Sequence, residues 1–337
     1  MGLPDGSPPR HPPIESPLAH KKLLGDPILM HRFWSLLFAA VNLSCLGMLV
    51  VAYARPELGW WLPEAASTQA PKIDGLFYLI SVLCGLFFVL TQGILIVAIW
   101  KFPSTTPGTA KPIHGSLGLE IGWTLAPVAG LLVITGASLP VWKDTKYQGL
   151  QANFPIANAE PAPAADQVIL VTARQWDWHL RYATAPLQAE GIREWAEEGT
   201  PSDLMVADEL HVWKGAKVTL LLRTTDVIHS FFIPVLRLKQ DTLPGKTIPM
   251  RFEASVSNVR FDPSQGRLVS GENNSSWEIA CAELCGGNHY RMRGKLFVHP
   301  DRKSYEAWLN HAQRQARSRT LATSSPSSSM QKDASKP

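Results

Sequence analysis

Cysteine is scarce in this sequence, with four in 337 residues, and their spacing excludes two kinds of site. No C-x-x-C-H motif occurs, so this chain does not attach a c-type haem covalently. No C-x2-C pair occurs either, which is the usual half of a structural zinc site. Cys45 and Cys84 lie in long apolar stretches, where we expect them to be small buried hydrophobic residues.

Charged residues are absent from three long stretches, residues 33–54, 76–100 and 121–142. Each stretch reaches the length of roughly 20 residues that an apolar helix needs to cross a bilayer. The first stretch could instead be a cleaved signal peptide, but the leader before it and the apolar run are both long for one. We therefore predict a membrane anchor over residues 31–142, with the first helix retained.

Basic residues predict the orientation of these helices, because short loops rich in Lys and Arg stay on the inner side of the membrane. Arg and Lys precede the first span, and Lys101 and Lys111 lie between the second and third spans. The loop between the first two spans has no positive excess. An internal N-terminus and three spans place the rest of the chain outside, which is the periplasmic side of a bacterial cell membrane.

Four soft or borderline metal ligands lie together near the end of the chain, in the segment C-A-E-L-C-G-G-N-H-Y-R-M at residues 281–292. Thiolate, thioether and imidazole groups together favour copper. A single blue-copper ion uses one Cys, two His and a weak axial Met, so the surplus cysteine suggests two bridged copper ions. A disulfide between Cys281 and Cys285 is the alternative, but it leaves His289 and Met292 unexplained.

A second histidine ligand should then come from another part of the chain. His229 is the candidate, in the apolar run T-D-V-I-H-S-F-F-I-P at residues 225–234. A single histidine in such a run is more often a core residue, but the cluster at residues 281–292 favours a ligand role.

The two segments together closely resemble the binuclear CuA centre of cytochrome c oxidase subunit II. The segment K-Q-D-T-L-P-G-K at residues 239–246 resembles the loop after the family's first histidine, with Lys246 where the family commonly has Arg. The resemblance implies two bridging thiolates, two terminal imidazoles and two weak axial ligands. In that order they are Cys281 and Cys285, His229 and His289, and Met292 with the backbone carbonyl of Glu283.

The resemblance also extends to residues outside the copper cluster. In this family the glutamate at Glu283 also binds a magnesium or manganese ion shared with subunit I. The motif R-Q-W-D-W at residues 174–178 resembles the family's Gln-Trp-x-Trp element, which implies that electrons from cytochrome c arrive at Trp176. Packing is the ordinary role of such tryptophans, and we expect it for Trp178.

Glu120 begins the third span in L-E-I-G-W-T, a motif that the family shares. The resemblance implies that it lies at the inner mouth of a proton path into subunit I. The alternative is an interfacial acid favoured by the helix dipole.

The N-terminal region resembles cyanobacterial-type members of the family in two segments, L-P-E-A-A-S at residues 62–67 and I-D-G-L-F at residues 73–77. Those members have an apolar segment before the two usual helices, which supports the additional first span.

Short runs rich in branched and aromatic residues follow the anchor, and they are typical of strands in a β-sandwich or barrel. The runs are residues 168–173, 176–182, 218–222, 248–252, 277–281 and 295–299. The family fold is a cupredoxin-like Greek-key barrel, and we predict an all-β domain of that class after the helical anchor. A closing helix is expected from Asp301 onwards. The predicted segments are a disordered N-terminus at 1–30, a linker at 143–166, the copper domain at 167–315 and a disordered tail at 316–337.

Acidic residues are candidates for docking the basic face of cytochrome c. Asp226 aligns with a family docking acid. A second group lies in the acidic segment at residues 190–209, where a solvated surface would have the same composition. Its predicted docking residues are Glu190, Glu194, Glu197 and Glu198.

The predicted function is therefore that of the electron-accepting subunit of a proton-translocating cytochrome c oxidase. The expected partners are cytochrome c, subunit I with the other oxidase subunits, and membrane lipid, and no nucleic-acid partner is expected. A membrane-anchored copper carrier is a second hypothesis, although it would not need an aromatic electron acceptor. A quinol oxidase subunit is a third, but such members have lost the copper ligands.

Overall fold

A computed structural model describes residues 27–102, 115–143, 145, 165–183, 187 and 191–324, with side chains from residue 29 to residue 319 within those ranges. The chain divides into two compact units, residues 1–62 with 81–127 and residues 63–80 with 128–337. Most of the predicted linker and most of the predicted disordered segments fall outside the described residues.

Three helices in the described part of the chain are long and apolar enough to cross a membrane: α1 (Pro27–Ala54), α2 (Ala70–Lys101) and α3 (Leu117–Trp142). Each contains one predicted span and begins before it, because the residues ahead of the apolar run continue the helix. The hydroxyl of Ser67 accepts a hydrogen bond from the backbone N–H of Ala70 at 3.1 Å and so caps the start of α2.

Apolar side chains cover the outer surface of these helices, as expected for segments in contact with lipid. Leu36, Leu86 and Leu131 are examples, and all are exposed. Cys45 and Cys84 are exposed as well. The expectation that these two cysteines are buried was wrong, because an apolar position on a membrane helix need not face another part of the protein.

Twelve strands and two further helices make up the described part of the C-terminal domain. The strands are β1 (Gln167–Arg174), β2 (Asp177–Tyr182), β3 (Leu204–Ala207), β4 (Glu209–Trp213), β5 (Lys217–Thr224), β6 (His229–Ile233), β7 (Leu238–Thr242), β8 (Ile248–Glu253), β9 (Val259–Asp262), β10 (Arg267–Ser270), β11 (Trp277–Cys281) and β12 (Arg293–His299). The helices are α4 (Ile192–Glu198) and α5 (Arg302–Ser324).

Two five-stranded sheets form the domain, in the orders β3-β2-β1-β5-β8 and β4-β12-β11-β6-β7. Strand β1 pairs with β5 in parallel, and β12 pairs with β4 in parallel. One core cluster includes Leu220 from the first sheet together with Phe231 and Ile279 from the second, and all three are fully buried. This arrangement confirms the predicted fold class, a helical anchor followed by an all-β cupredoxin-like domain.

The outer face of the first sheet is covered by α4, which explains why β1 is buried on both faces. Val168 and Leu170 of β1 pack with Leu221 of β5 and with Trp195 of α4 in a second, smaller core. The indole N–H of Trp195 donates to the carboxylate of Asp203 at 2.8 Å. Asp203, one of the acids in the segment at 190–209, is thus part of the packing.

The strands predicted from the sequence correspond to β1, β2, β5, β8, β11 and β12, to within two residues at each end. Prediction missed β3, β4, β7, β9 and β10, which are short or interrupted by polar residues. Residues 258–276, to which the sequence assigned no role, contain the β9–β10 hairpin. The hairpin packs on α5, because the hydroxyl of Ser304 accepts a hydrogen bond from Phe261 N at 3.0 Å.

Helix α5 continues past Gln315, where the sequence predicted a disordered tail to begin, and ends at Ser324. Ala and Arg in this stretch are good helix formers, and they extend the helix beyond the part that packs on the domain. The predicted boundary gave too much weight to the serine and charge content of the tail.

A buried pair of histidines links the second sheet to α5. His211 Nδ1 lies 3.1 Å from His299 Nε2, and the His211 ring stacks on Trp308 at 3.6 Å. Burial lowers the pKa of His211 to about 4, although Glu209 nearby opposes the shift. Burial and the neighbouring His211 lower the pKa of His299 to about 2. Both rings are therefore neutral in the folded protein at neutral pH.

An ion pair joins the start of α2 to the β domain within one compact unit. The guanidinium of Arg237 donates to both carboxylate oxygens of Asp74, at 2.7 and 3.0 Å. It also donates to the carbonyl oxygens of Pro63 at 2.6 Å and Pro234 at 2.8 Å. The Arg237 side chain is 8% exposed, so these contacts replace water around a buried charge.

Candidate metal centre

Strand ends of the second sheet bring the predicted copper ligands together. Cys281 is the last residue of β11, and Met292 directly precedes β12. The backbone N–H of Cys281 donates to the carbonyl of Met292 at 3.2 Å and closes the loop between them. His229 begins β6, which pairs with β11, so the histidine from the distant segment lies beside this loop.

The two thiols lie between the two imidazoles. The Sγ atoms of Cys281 and Cys285 are 3.8 Å apart. The Nδ1 atom of His229 lies 3.9 Å from the Cys281 sulfur, and the Nδ1 atom of His289 lies 3.5 Å from the Cys285 sulfur. Both cysteines are free, and a disulfide would require an S–S distance of about 2.0 Å.

Two weaker donors complete the cluster. The Met292 sulfur lies 3.1 Å from His229 Nδ1 and 3.9 Å from the Cys285 sulfur. The backbone carbonyl of Glu283 lies 3.3 Å from the Cys281 sulfur. Two thiols, two imidazoles, a thioether and a carbonyl match the soft and borderline donors that copper prefers, so the residues present fit a copper pair.

The cluster is buried on the side of the protein core and open at the loop. His229 and Met292 are fully buried, and Cys285 is 3% exposed. Leu284 and Tyr290, in the same loop, are 79% and 67% exposed. Both side chains extend from the loop into solvent, whereas the candidate ligands beneath them are shielded.

The two thiols differ in acidity because their surroundings differ. Burial opposes ionisation of Cys281, but hydrogen bonds with His229 and with backbone groups outweigh it and lower its pKa to about 6. Burial and the neighbouring Cys281 raise the pKa of Cys285 to about 12. The second thiol therefore ionises only when a cation binds beside it.

Asp226 orients the His229 ring. Its Oδ1 atom lies 2.9 Å from His229 Nε2, which leaves Nδ1 directed at the sulfur atoms. The Asp226 carboxylate is itself held by the backbone N–H groups of Gln175 and Val227, both at 2.7 Å. Burial raises the pKa of Asp226, but these hydrogen bonds and the contact with His229 together lower it by more, so the net shift of the pKa is downward. Sequence reasoning had assigned Asp226 to docking alone, although its position three residues before a ligand histidine was a signal for this contact.

Trp176 lies against Gly286, which belongs to the loop at residues 281–292. We call this segment the copper loop. A Cβ atom at Gly286 would lie 3.3 Å from the indole ring of Trp176 and 2.9 Å from Gln175 Nε2. Gln175 Nε2 also donates to the carbonyl of Cys285 at 2.8 Å. Trp176 thus contacts the residue that follows a predicted ligand. Sequence reasoning missed Gln175 and Gly286, because these contacts join segments that are distant in the chain.

Trp178 and Asp177 occupy the other positions of this aromatic motif. Trp178 is fully buried, with its ring 6.1 Å from that of His229. Asp177 accepts hydrogen bonds from Arg174 at 2.7 and 3.0 Å and lies 3.1 Å from His179. Trp178 therefore lies beside the candidate ligand His229, whereas Asp177 belongs to a local surface cluster of charges.

The remaining predicted site residues are glutamates. Glu194, Glu197 and Glu198 are exposed on α4, and Glu197 lies 3.9 Å from Arg223. Glu190 lies outside the described residues. Glu120 is exposed in the first turn of α3, where its backbone N–H donates to the carbonyl of Ser116 at 2.9 Å.

Two family profiles match this chain. The profile "Cytochrome C oxidase subunit II, periplasmic domain" matches residues 167–296, which hold all six candidate ligands. The profile "Cytochrome C oxidase subunit II, transmembrane domain" matches residues 56–141.

Curated relatives align with this chain over most of their length. Cytochrome c oxidase subunit 2 of Thermostichus vulcanus is 27% identical over 293 residues, 75% of this chain and 78% of the relative. The protein of the same name from Synechocystis sp. is 29% identical over 273 residues, 74% of each chain. Among solved structures, the periplasmic domain of subunit II of cytochrome oxidase (CoxB) of Bradyrhizobium japonicum matches with a TM-score of 0.34 and 21% identity, over 45% of this chain and 97% of that one.

Proposed function

This chain belongs to the cytochrome c oxidase subunit II family, whose two profiles together match more than half of it, and we propose that its outer domain relays electrons from cytochrome c to subunit I. It is a membrane subunit of the oxidase with a periplasmic domain. The observation that carries the proposal is the convergence of Cys281, Cys285 and His229 at one end of the sandwich, with ligand atoms within 4.8 Å of one another.

Each ligand has a distinct role in this proposal. Cys281 and Cys285 would hold a copper pair through their thiolates, and His229 and His289 would hold it through Nδ1. Met292 and the backbone carbonyl of Glu283 would be its weaker donors. A copper pair bound here supplies one reversible electron-transfer couple.

The protein contributes rigidity to this centre. Three candidate ligands lie at or beside the ends of paired strands, and Asp226 restrains the ring of His229. Fully buried Met292 keeps water away from the inner side of the cluster. Ligands that barely move when the charge changes reduce the reorganisation that electron transfer requires.

Trp176 is the proposed point at which electrons arrive. Its position against Gly286, the residue after Cys285, supports a direct route from the indole ring into the ligand loop. The proton-path role of Glu120 and the magnesium or manganese role of the exposed Glu283 carboxylate are further proposals, and both rest on the family resemblance.

The electron donor in this proposal is cytochrome c, docked near Trp176. Asp226 keeps a side-chain exposure of 29%, so its carboxylate can contribute to a negative surface while it holds His229. Glu194, Glu197 and Glu198 are the second acidic group, with Glu190 as its remaining predicted member. Such docking is weakened by salt, so neutralising the acids of α4 should slow oxidation of cytochrome c at low ionic strength, and an unchanged rate there would reject that surface.

The membrane in this proposal is the bacterial inner membrane. The predicted orientation places the copper domain in the periplasm, where soluble electron donors can reach it. Oxygen reduction and proton translocation belong to subunit I and are coupled to this relay.

The experiment for the relay uses the full chain, loaded with copper and mixed anaerobically with reduced cytochrome c. The rate at which the copper centre is reduced is followed for the wild type, Trp176→Phe and Trp213→Phe. Trp213 is the control because it packs against Tyr305, with ring centres 5.0 Å apart, and not against the copper loop. We expect only Trp176→Phe to slow reduction, and equal rates for the two variants would contradict the route through Trp176.

A further inference from the structure

A polar cleft lies where the β domain meets the start of α2. It has a volume of about 290 Å³ and is lined by ends of β5 and β8 and by residues just before and within the first turn of α2. Its lining residues Lys72, Lys217 and Arg251 are cationic, and Glu253 is its acid. Residues 63–80 belong to the same compact unit as the β domain, so the cleft is formed within one body.

Two buried polar atoms in the lining of this cleft have no hydrogen-bond partner. They are the side-chain oxygen of Gln69 and the hydroxyl of Thr219, a residue that is 2% exposed. Thr219 pairs with Arg251 across β5 and β8, and Gln69 donates to the carbonyl of Arg251 at 3.2 Å. Buried polar groups without partners are costly and uncommon in folded proteins. A ligand that supplies the missing partners would remove that cost.

The charges of the cleft define the chemistry of such a ligand. The three cations favour a phosphate, and the hydroxyl of Thr219 can donate to one of its oxygens. The oxygen of Gln69 accepts only, so it needs a donor on the ligand. Glu253, which pairs with Lys217 across the sheet, also favours a positive group. The complementary ligand therefore carries both a phosphate and an ammonium group.

The height of the cleft relative to the membrane identifies the source of that ligand. Lys72 precedes the apolar run of α2, which starts at Leu76, by four residues or about 6 Å along the helix. The headgroup layer on each side of a bilayer is about 5–8 Å thick. Lys72, on the α2 side of the cleft, thus lies at the depth of the lipid phosphates.

We propose that this cleft binds the headgroup of a phospholipid with a protonated amine, phosphatidylethanolamine, and so attaches the outer domain to the membrane surface beside α2. The phosphate contacts Lys72, Lys217 and Arg251, and the ammonium group contacts Gln69 and Glu253. Choline carries no hydrogen-bond donor, so phosphatidylcholine satisfies only half of the site.

The test uses native mass spectrometry of the full chain in a neutral detergent, with phosphatidylethanolamine and phosphatidylcholine of the same acyl chains added in turn. The variants are Lys217→Met, Thr219→Val and the control Lys214→Met. Lys214 has the same charge but pairs with Glu272 at 2.9 Å outside the cleft. Thr219→Val keeps the shape of the side chain and removes a buried hydroxyl without a partner, so it should fold at least as stably as the wild type.

We expect the wild type and Lys214→Met to retain phosphatidylethanolamine about tenfold better than phosphatidylcholine. Lys217→Met should reduce retention of both lipids, because both carry the phosphate, and Thr219→Val should reduce retention about threefold with no loss of thermal stability. Equal retention of the two lipids would overturn the proposal, as would unchanged retention in both cleft variants. Displacement of the lipid by millimolar inorganic phosphate would also overturn it, because the site would then recognise a free anion.

Discussion

A single methyl group added at Gly286 should move Trp176, the proposed entry point for electrons, away from the copper site. The Gly286 φ of +119° is one that residues with a side chain rarely adopt, and the added Cβ would lie 2.9 Å from Gln175 Nε2 and 3.3 Å from the Trp176 ring. Gly286→Ala therefore strains the backbone and displaces both side chains. The strain corresponds to a loss of about 1–3 kcal/mol in the free energy of unfolding.

The expected effect on the rate of electron transfer is larger than the effect on copper binding. None of the proposed ligands is changed in Gly286→Ala, so we expect the full chain to retain two copper ions. Movement of Trp176 away from the loop should slow reduction by cytochrome c on the order of tenfold to a hundredfold, the scale of misplacement at a pre-organised site. Stopped-flow reduction, copper analysis and thermal unfolding measure the three quantities.

The neighbouring glycine is the matched control. A Cβ atom at Gly287 meets no atom within 4 Å. Gly287→Ala should therefore match the wild type in reduction rate, and its unfolding temperature should stay close to that of the wild type. If Gly286→Ala were as fast and as stable as Gly287→Ala, the contact between Trp176 and the loop would not be the route.

Three further predictions concern the acidity and the ion pairs of the domain. Because His211 and His299 have pKa values lowered by folding, the unfolded chain binds more protons, and stability should fall as the pH drops below about 6.5. His211 alone accounts for about 3 kcal/mol by pH 4, measurable by urea unfolding, and a flat profile would contradict the buried neutral pair. Asp226→Asn should weaken copper binding about 10–100-fold in a chelator competition, and an unchanged affinity would remove Asp226 from the support of the site. Arg237→Lys should lower the free energy of unfolding by about 1–3 kcal/mol, because lysine cannot make the paired contact with Asp74, and full stability would show that contact to be dispensable.

The anchor and the main strands could be predicted from the sequence because their signals are local. A helix in lipid needs an unbroken apolar run, and residues 76–100 supply one. Strands such as β5 are dense in branched residues. The cluster at residues 281–292 was also local, since five of the six candidate donors fall within one short loop.

Other features depended on contacts between distant segments and had no local signal. His229 was identified only because the cluster at residues 281–292 required a second histidine, since a buried histidine in an apolar run is ordinarily a core residue. The contact of Gln175 with the Cys285 carbonyl spans 110 positions in the chain. Asp226 is partly exposed and yet bonded to His229. Both properties follow from the strand pairing that places residues 225–229 beside the copper loop.

Composition misled where one residue type serves several structural roles. Asp203 belongs to an acidic segment that suggested docking, but it accepts hydrogen bonds from Trp195 and Thr200. The polar stretch at residues 258–276 contains a hairpin against α5 because its apolar residue Phe261 is buried there. In both cases the tertiary partner decides the role, and the partner lies far away in the sequence.

We propose that this chain holds two copper ions that share one unpaired electron through Cys281 and Cys285. Electron paramagnetic resonance of the copper-loaded full chain, together with the copper content per chain, decides whether this is correct. We expect two coppers and the multiline pattern of one unpaired electron shared by both nuclei, and we expect Cys281→Ser to abolish that pattern. A single copper per chain, or a spectrum that Cys281→Ser leaves unchanged, would contradict the claim.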